Sequence, residues 1–154
     1  MYKEILLQHI KKAKKSHLLW LKRVRHLIQE LPISEEMIPL NPKECDFGRW
    51  LYSEGIKFNS LPSTSKIILE IINIHELIHD IYFDIYEIYF IETKQTGIFK
   101  KLHFTDKQIN KDRYATAVEC FLELEDASNN LIGYMDAFEK SILSASENLL
   151  LKAI

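Results

Sequence analysis

The feature that most constrains the fold is the spacing of apolar residues between positions 68 and 90. Steps of three and four residues alternate along one series, which is Ile68, Ile71, His75, Ile78, Tyr82, Ile85 and Tyr89. Such steps place side chains on one face of an α-helix. A flanking stripe widens that face: Ile72, His79, Phe83, Tyr86 and Phe90. A wide apolar face predicts a helix at the centre of the fold.

The N-terminal part of the chain repeats this spacing. Steps of four and three alternate along Leu6, Ile10, Ala13, His17, Trp20, Val24, Leu27 and Leu31. The pattern predicts the inward face of a second long helix. Pro32 should end it, because proline lacks the N–H that a helix interior needs. His17 stands on this face where a leucine would be the ordinary choice.

A short helix is predicted to begin near residue 41. Asn41 suits the N-cap, Pro42 the first helical position and Glu44 the third, and together they form a capping box. Gly55 ends the pattern. Cys45 would lie in the first turn, where the helix dipole and free N–H groups favour a thiolate.

The C-terminal half predicts further helix. Residues 93–104 are interpreted as a connection, and helical spacing resumes at 105 and runs to about 152. The register slips around 128–130, so this segment is either one long helix or two. The predicted fold class is all-α: an antiparallel four-helix-type bundle with a short second helix that carries the Cys ligand.

Composition excludes several classes of function. The chain has 154 residues, 47% of them hydrophobic, which predicts a single domain over residues 1–154. A net charge of −2 gives no electrostatic case for nucleic acid. The sequence predicts neither a membrane span nor a signal peptide. We therefore expect a cytoplasmic protein whose cysteines, Cys45 and Cys120, are thiols.

Four candidate metal ligands converge in such a bundle. His17 comes from the first helix and Cys45 from the short one, while His75 and His79 share one face of the central helix. Three imidazoles and one thiolate make a complete tetrahedral zinc set, and the thiolate favours zinc over magnesium or calcium. The alternative for each histidine alone is a core residue with a hydrogen-bond partner.

Residues 75–79 also spell H-E-x-x-H, the signature of zinc metalloproteases. A protease of that kind needs a third ligand downstream and an open coordination position for water. No H-x-x-G-x-x-H extension follows His79, and Cys45 and His17 would close the site. We therefore do not expect an enzyme.

Residues beside the ligands have predicted roles as well. Gly48 would let the short helix approach the bundle closely. The acidic residues Asp46, Glu76 and Asp80 neighbour the ligands in sequence. Each is either a partner for an imidazole N–H or a charge on a solvated helix face.

The ligand segments and their spacing resemble the chemoreceptor zinc-binding (CZB) domain family. Its pattern is H-x-aromatic-or-Leu, C-x-apolar-G-x-apolar and H-x-x-x-H, which His17-Leu18-Leu19, CDFGRW at 45–50 and HELIH at 75–79 match. The two gaps, 20–44 and 51–74, are 25 and 24 residues long. The resemblance covers about residues 10–92, and we treat residues 105–152 as a C-terminal helical segment of the same domain.

The resemblance implies Zn²⁺ held by His17, Cys45, His75 and His79 in a domain that senses zinc or an oxidant such as hypochlorite. It also implies a homodimer, and signalling, as in chemotaxis, to a separate partner of the chemoreceptor or diguanylate cyclase type. The alternative is a helical interaction module with a purely structural zinc. We hypothesise that loss of zinc, or oxidation of Cys45, loosens the short helix while the long helices stay packed.

Overall fold

A computed structural model describes residues 1–95 and 109–154, and no strand occurs in those ranges. The helices are α1 (Tyr2–Ile28), α2 (Asp46–Ser53), α3 (Ser65–Tyr86), α4 (Glu92–Gln95), α5 (Lys111–Ser144) and α6 (Glu147–Leu151). The π-helical turn Glu87–Ile91 joins α3 to α4, and the 3₁₀ turns Glu35–Met37 and Gly55–Ser60 flank α2. None of these helices combines the length and hydropathy that a membrane crossing requires.

Helix α5 runs antiparallel to α1. Near one end of the pair, Lys3 Nζ donates to the carbonyl of Leu143 at 3.1 Å. Further along α1, Arg25 Nη2 donates to Glu125 Oε1 at 2.6 Å. The α1 residue numbers therefore rise as those of α5 fall.

Helix α5 is also antiparallel to α3. Phe58, which precedes α3, packs on Phe138 late in α5, with ring centroids 5.7 Å apart. Arg113 at the start of α5 pairs with Glu92, which follows α3. Helices α1 and α3 are consequently parallel, joined by a crossover at 29–64 that contains α2. The predicted all-α four-helix-type bundle with a short second helix is confirmed.

The predicted apolar faces line the core, although not every predicted member is buried. The α3 series is buried from Ile68 to Ile85, and the α1 series is buried from Leu6 to Leu27. Leu31 is 46% exposed, because α1 ends at Ile28 and the chain turns at Glu30, whose φ is 59°. Phe83 of the flanking stripe is exposed as well.

The start of α2 differs from the prediction. Asn41 Oδ1 accepts from the N–H of Lys43 at 2.9 Å, which closes a separate turn before the helix. Helix α2 begins at Asp46, and Cys45 is its N-cap. The cysteine therefore precedes the first turn instead of lying within it.

The C-terminal segment is one helix across residues 128–130. The buried positions of α5 keep steps of four and three from Ala117 to Ile142 without a slip, and Ser128 is one of them. Asn110 caps the N-terminus of α5. The predicted start at 105 and most of the predicted connection lie outside the described residues.

Candidate metal centre

Three of the four predicted ligands come together beside α2. The potential ligand atoms of Cys45, His75 and His79 lie within 4.8 Å of one another, and all three residues are buried. Cys45 Sγ is 3.3 Å from His75 Nε2, and the rings of His75 and His79 have centroids 4.8 Å apart. We call these residues the Cys–His–His cluster. Its soft sulfur and two imidazoles are donors that zinc prefers.

A backbone carbonyl fixes the tautomer of His79. The Nδ1–H donates to the carbonyl of Leu40 at 2.7 Å, so Nε2 carries the lone pair. Nε2 is buried and has no hydrogen-bond partner among the described residues. Metal-binding imidazoles are held in this way, by the N–H that faces away from the metal. The Leu40 contact fits a zinc ligand and was missed, since a backbone carbonyl leaves no signal in residue type.

Leu40 belongs to a crossover segment whose carbonyls accept side-chain donors from α1 and α3. We call residues 37–40 the strap. Four consecutive carbonyls take part: Met37 accepts from Arg23 at 3.1 Å, Ile38 from Tyr82 at 3.3 Å, Pro39 from Trp20 at 3.3 Å and Leu40 from His79 at 2.7 Å. The strap is therefore anchored to both helices next to the cluster.

The sulfur of Cys45 is in contact with α2 as well as with the cluster. It accepts from the N–H of Gly48 at 3.2 Å, and the thiol lies 3.4 Å from the carbonyl of Pro42. Burial raises the pKa of the Cys45 thiol, and this outweighs the N–H groups of Gly48 and Phe47, which lower it. The N–H groups at the start of α2 are therefore not sufficient to keep Cys45 as the predicted thiolate. A bound cation would supply the missing stabilisation.

Gly48 permits the close approach of α2 that the sequence predicts. A Cβ at this position would lie 1.7 Å from the carbonyl oxygen of Pro42 and 3.2 Å from Cε1 of His75. Any larger residue would push α2 away from its own cap and from the His75 ring.

His17 lies beside the cluster but is not part of it. Its Nε2 is 2.7 Å from Ser128 Oγ on α5, and its ring packs edge-on against Phe47 with centroids 5.7 Å apart. Together with Cys45 and His79 it lines a cavity of about 230 Å³. Its membership of the ligand set stays a prediction.

Burial lowers the pKa of all three histidines. The pKa of His17 falls to about 4 and that of His75 to about 3, with neighbouring imidazoles as the second cause. The pKa of His79 is also lowered by burial, against the opposing effect of the Leu40 carbonyl and nearby carboxylates. All three are therefore neutral at pH 7, which is the form that binds a metal.

The acidic neighbours do not orient an imidazole. Asp46, Glu76 and Asp80 are exposed, and within the described residues none of them bonds to a histidine ring. The Glu76 carboxylate instead accepts from the hydroxyl of Tyr52. In an H-E-x-x-H protease this glutamate would face the metal-bound water, so its position offers nothing to a protease mechanism.

Comparison with known proteins agrees with the geometry. The family model of the chemoreceptor zinc-binding domain matches residues 17–86, a range that contains all four predicted ligands. No curated protein and no solved structure matches the chain. The family consists of sensor and regulatory domains rather than enzymes. Its domains bind zinc, and the sulfur and imidazole donors of the Cys–His–His cluster fit the same metal, so the cofactor is zinc. Residues 17–86 are thus similar to the chemoreceptor zinc-binding domain family.

Proposed function

We propose that the chain is a regulatory sensor whose metal centre is formed by His17, Cys45, His75 and His79. One observation carries the proposal. Cys45 Sγ lies 3.3 Å from His75 Nε2 and also accepts the N–H of Gly48, by which it caps α2. Any change in bonding at this sulfur therefore acts on the metal site and on the end of a helix.

In this proposal His17 is the fourth ligand. Support comes from its place in the wall of the cavity that Cys45 and His79 also line, and from the family match that begins at His17. Bound zinc would supply the positive charge that keeps the buried sulfur deprotonated. His79 is already oriented for such a role by Leu40.

The input is zinc itself or an oxidant such as hypochlorite. The Cys45 thiolate attacks the chlorine of hypochlorous acid, which forms an S–Cl bond and releases hydroxide. Water then displaces chloride, leaving the sulfenic acid and a proton. Support for access is the cavity of about 230 Å³ that reaches Cys45 and is also lined by Arg23 and Arg49.

The responding element is α2. It has eight residues, and helices of this length are marginal without packing or caps. Losing the sulfur as a metal ligand would loosen its N-terminus, while α1, α3 and α5 stay packed on one another. We propose that a partner protein reads this change, and that a homodimer through the long helices forms the scaffold. The chemoreceptor or diguanylate cyclase type of partner is proposed from the family alone.

Amide hydrogen exchange tests the proposal. The Cys120→Ala background leaves Cys45 as the remaining cysteine, so any thiol oxidation is assigned to it. Zinc removal, or one equivalent of hypochlorite, should raise exchange at residues 45–53 and leave 68–82 protected. Unchanged exchange at 45–53 after chelation would contradict a sensing role. A Cys45→Ser control should no longer respond to hypochlorite.

One observation favours the second candidate, a helical interaction module with purely structural zinc. Cys45 is only 4% exposed, and buried thiolates held by a metal resist oxidants. Zinc release separates the two candidates. A sensor should lose zinc when hypochlorite is added to the Cys120→Ala protein, whereas a structural centre should retain it.

A further inference from the structure

Ser128 is a polar residue within the apolar face of α5. It is 0% exposed, and Leu124 and Leu131 on either side are fully buried. A hydroxyl in such surroundings costs free energy unless it has a partner. Its Oγ lies 2.7 Å from His17 Nε2, so the imidazole supplies that partner.

While it makes this hydrogen bond, His17 lies outside the Cys–His–His cluster. Ligand atoms of the cluster lie within 4.8 Å of one another, and His17 is not among them. The helix that carries His17 is nevertheless close, because the ring of Trp20, one turn later, lies 4.9 Å from that of His79. His17 thus has one potential partner on α5 and another at the metal centre.

We propose that Ser128 and zinc compete for the imidazole of His17. Without zinc, the Ser128 hydroxyl holds His17 Nε2. With zinc bound, His17 leaves Ser128 and completes the ligand set. This inference rests on the proposed role of His17 as the fourth ligand.

The competition connects metal occupancy to α5, which lies beyond the residues that the family model matches. When His17 leaves, the Ser128 hydroxyl needs another partner. Within a helix the carbonyl four residues earlier, here that of Leu124, can accept its O–H, and such a bond often bends the helix. Zinc binding would therefore alter the centre of α5, and not only α2.

Zinc affinity of a Ser128→Ala variant tests the competition. Alanine removes the partner that holds His17, so zinc should bind about fivefold more tightly, the equivalent of one net hydrogen bond. Ser141→Ala is the matched control, since its hydroxyl bonds to the carbonyl of Ala137 in its own helix at 3.1 Å. The dissociation constant is measured by competition with a chromophoric chelator, after circular dichroism has shown that each variant is folded.

Three results would overturn the inference. Weaker binding by Ser128→Ala would mean that the hydroxyl positions His17 for the metal, and unchanged binding would mean that it does not act on the metal centre. In a His17→Ala background, Ser128→Ala should have no effect. An equal effect there would assign the change to packing, which also contradicts competition.

Failure of the inference is distinct from failure of the proposed function. If His17→Ala leaves zinc affinity unchanged, His17 is not a ligand and the proposed ligand set is wrong. If His17→Ala weakens zinc binding but Ser128→Ala changes nothing, only the competition is wrong. Hydrogen exchange at residues 126–132 gives a second readout, and it should rise when zinc is added to the wild-type protein and stay constant in His17→Ala.

Discussion

The Nδ1–H of His79 donates to the carbonyl of Leu40 at 2.7 Å, and this contact joins the metal centre to the crossover between α1 and α3. Two further residues of the crossover, Pro42 and Cys45, also lie at the cluster. Cys45 contributes the sulfur, and the carbonyl of Pro42 lies 3.4 Å from it. The geometry of the centre therefore depends on segment 37–45 as much as on the helix that carries both histidines.

Removing one anchor of the strap should weaken the protein and its zinc site. Trp20→Phe deletes the indole N–H that donates to Pro39, and we expect a loss of about 1 kcal/mol in unfolding free energy beyond the cost of the smaller ring. Trp50→Phe is the control, because the indole N–H of Trp50 has no partner among the described residues. Urea denaturation measures both variants, and equal losses would contradict the role of the strap.

Gly48→Ala should displace α2. The added Cβ would lie 1.7 Å from the Pro42 carbonyl oxygen, so the helix must shift, and we expect a loss of about 2 kcal/mol or more in stability. Gly133→Ala meets nothing within 4 Å and lies inside α5. That control should be neutral or up to about 1 kcal/mol more stable. Thermal unfolding and zinc affinity check both, and a fully stable, zinc-binding Gly48→Ala protein would contradict the close approach.

Acid should destabilise the zinc-free protein. The pKa of His17 is about 4 in the fold, against about 6.5 in the unfolded chain. Between these values the unfolded state binds the extra proton, so the unfolding free energy falls as the pH falls from 6.5 towards 4, by about 3 kcal/mol for this residue. Denaturation of chelated protein at several pH values measures it. His17→Gln should show a flatter dependence, and an equal slope would contradict the assignment.

Zinc binding should release about one proton at pH 7. Burial raises the pKa of Cys45, so the thiol is protonated and must lose its proton to become a ligand. The buried histidines are already neutral and release none. Calorimetry in buffers with different ionisation enthalpies counts the protons. Cys120→Ala should give the same count, whereas a count near zero would show a preformed thiolate.

The long helices could be predicted because their burial follows a local rule. Spacing alone placed Ile68 through Ile85 on the buried face of α3. The cap of α2 was missed because Asn41 competes as a turn former and leaves Cys45 to accept the N–H of Gly48.

The candidate site could be predicted in part, for a related reason. Cysteine and histidine are common zinc ligands, so the sequence indicates a metal site at Cys45, His75 and His79, and the fold brings these residues together. The contacts that orient the histidines could not be read from sequence. One is the backbone carbonyl of Leu40, and the other is Ser128, which is 111 positions from His17 and becomes its neighbour only when α5 packs on α1.

Zinc K-edge X-ray absorption on the purified protein tests the proposed ligand set directly. We expect one sulfur scatterer at about 2.3 Å and about three nitrogen scatterers near 2.0 Å, from Cys45 and three imidazoles. A shell of nitrogen and oxygen alone, without sulfur, would place Cys45 outside the metal centre and show that the proposed ligand set is wrong.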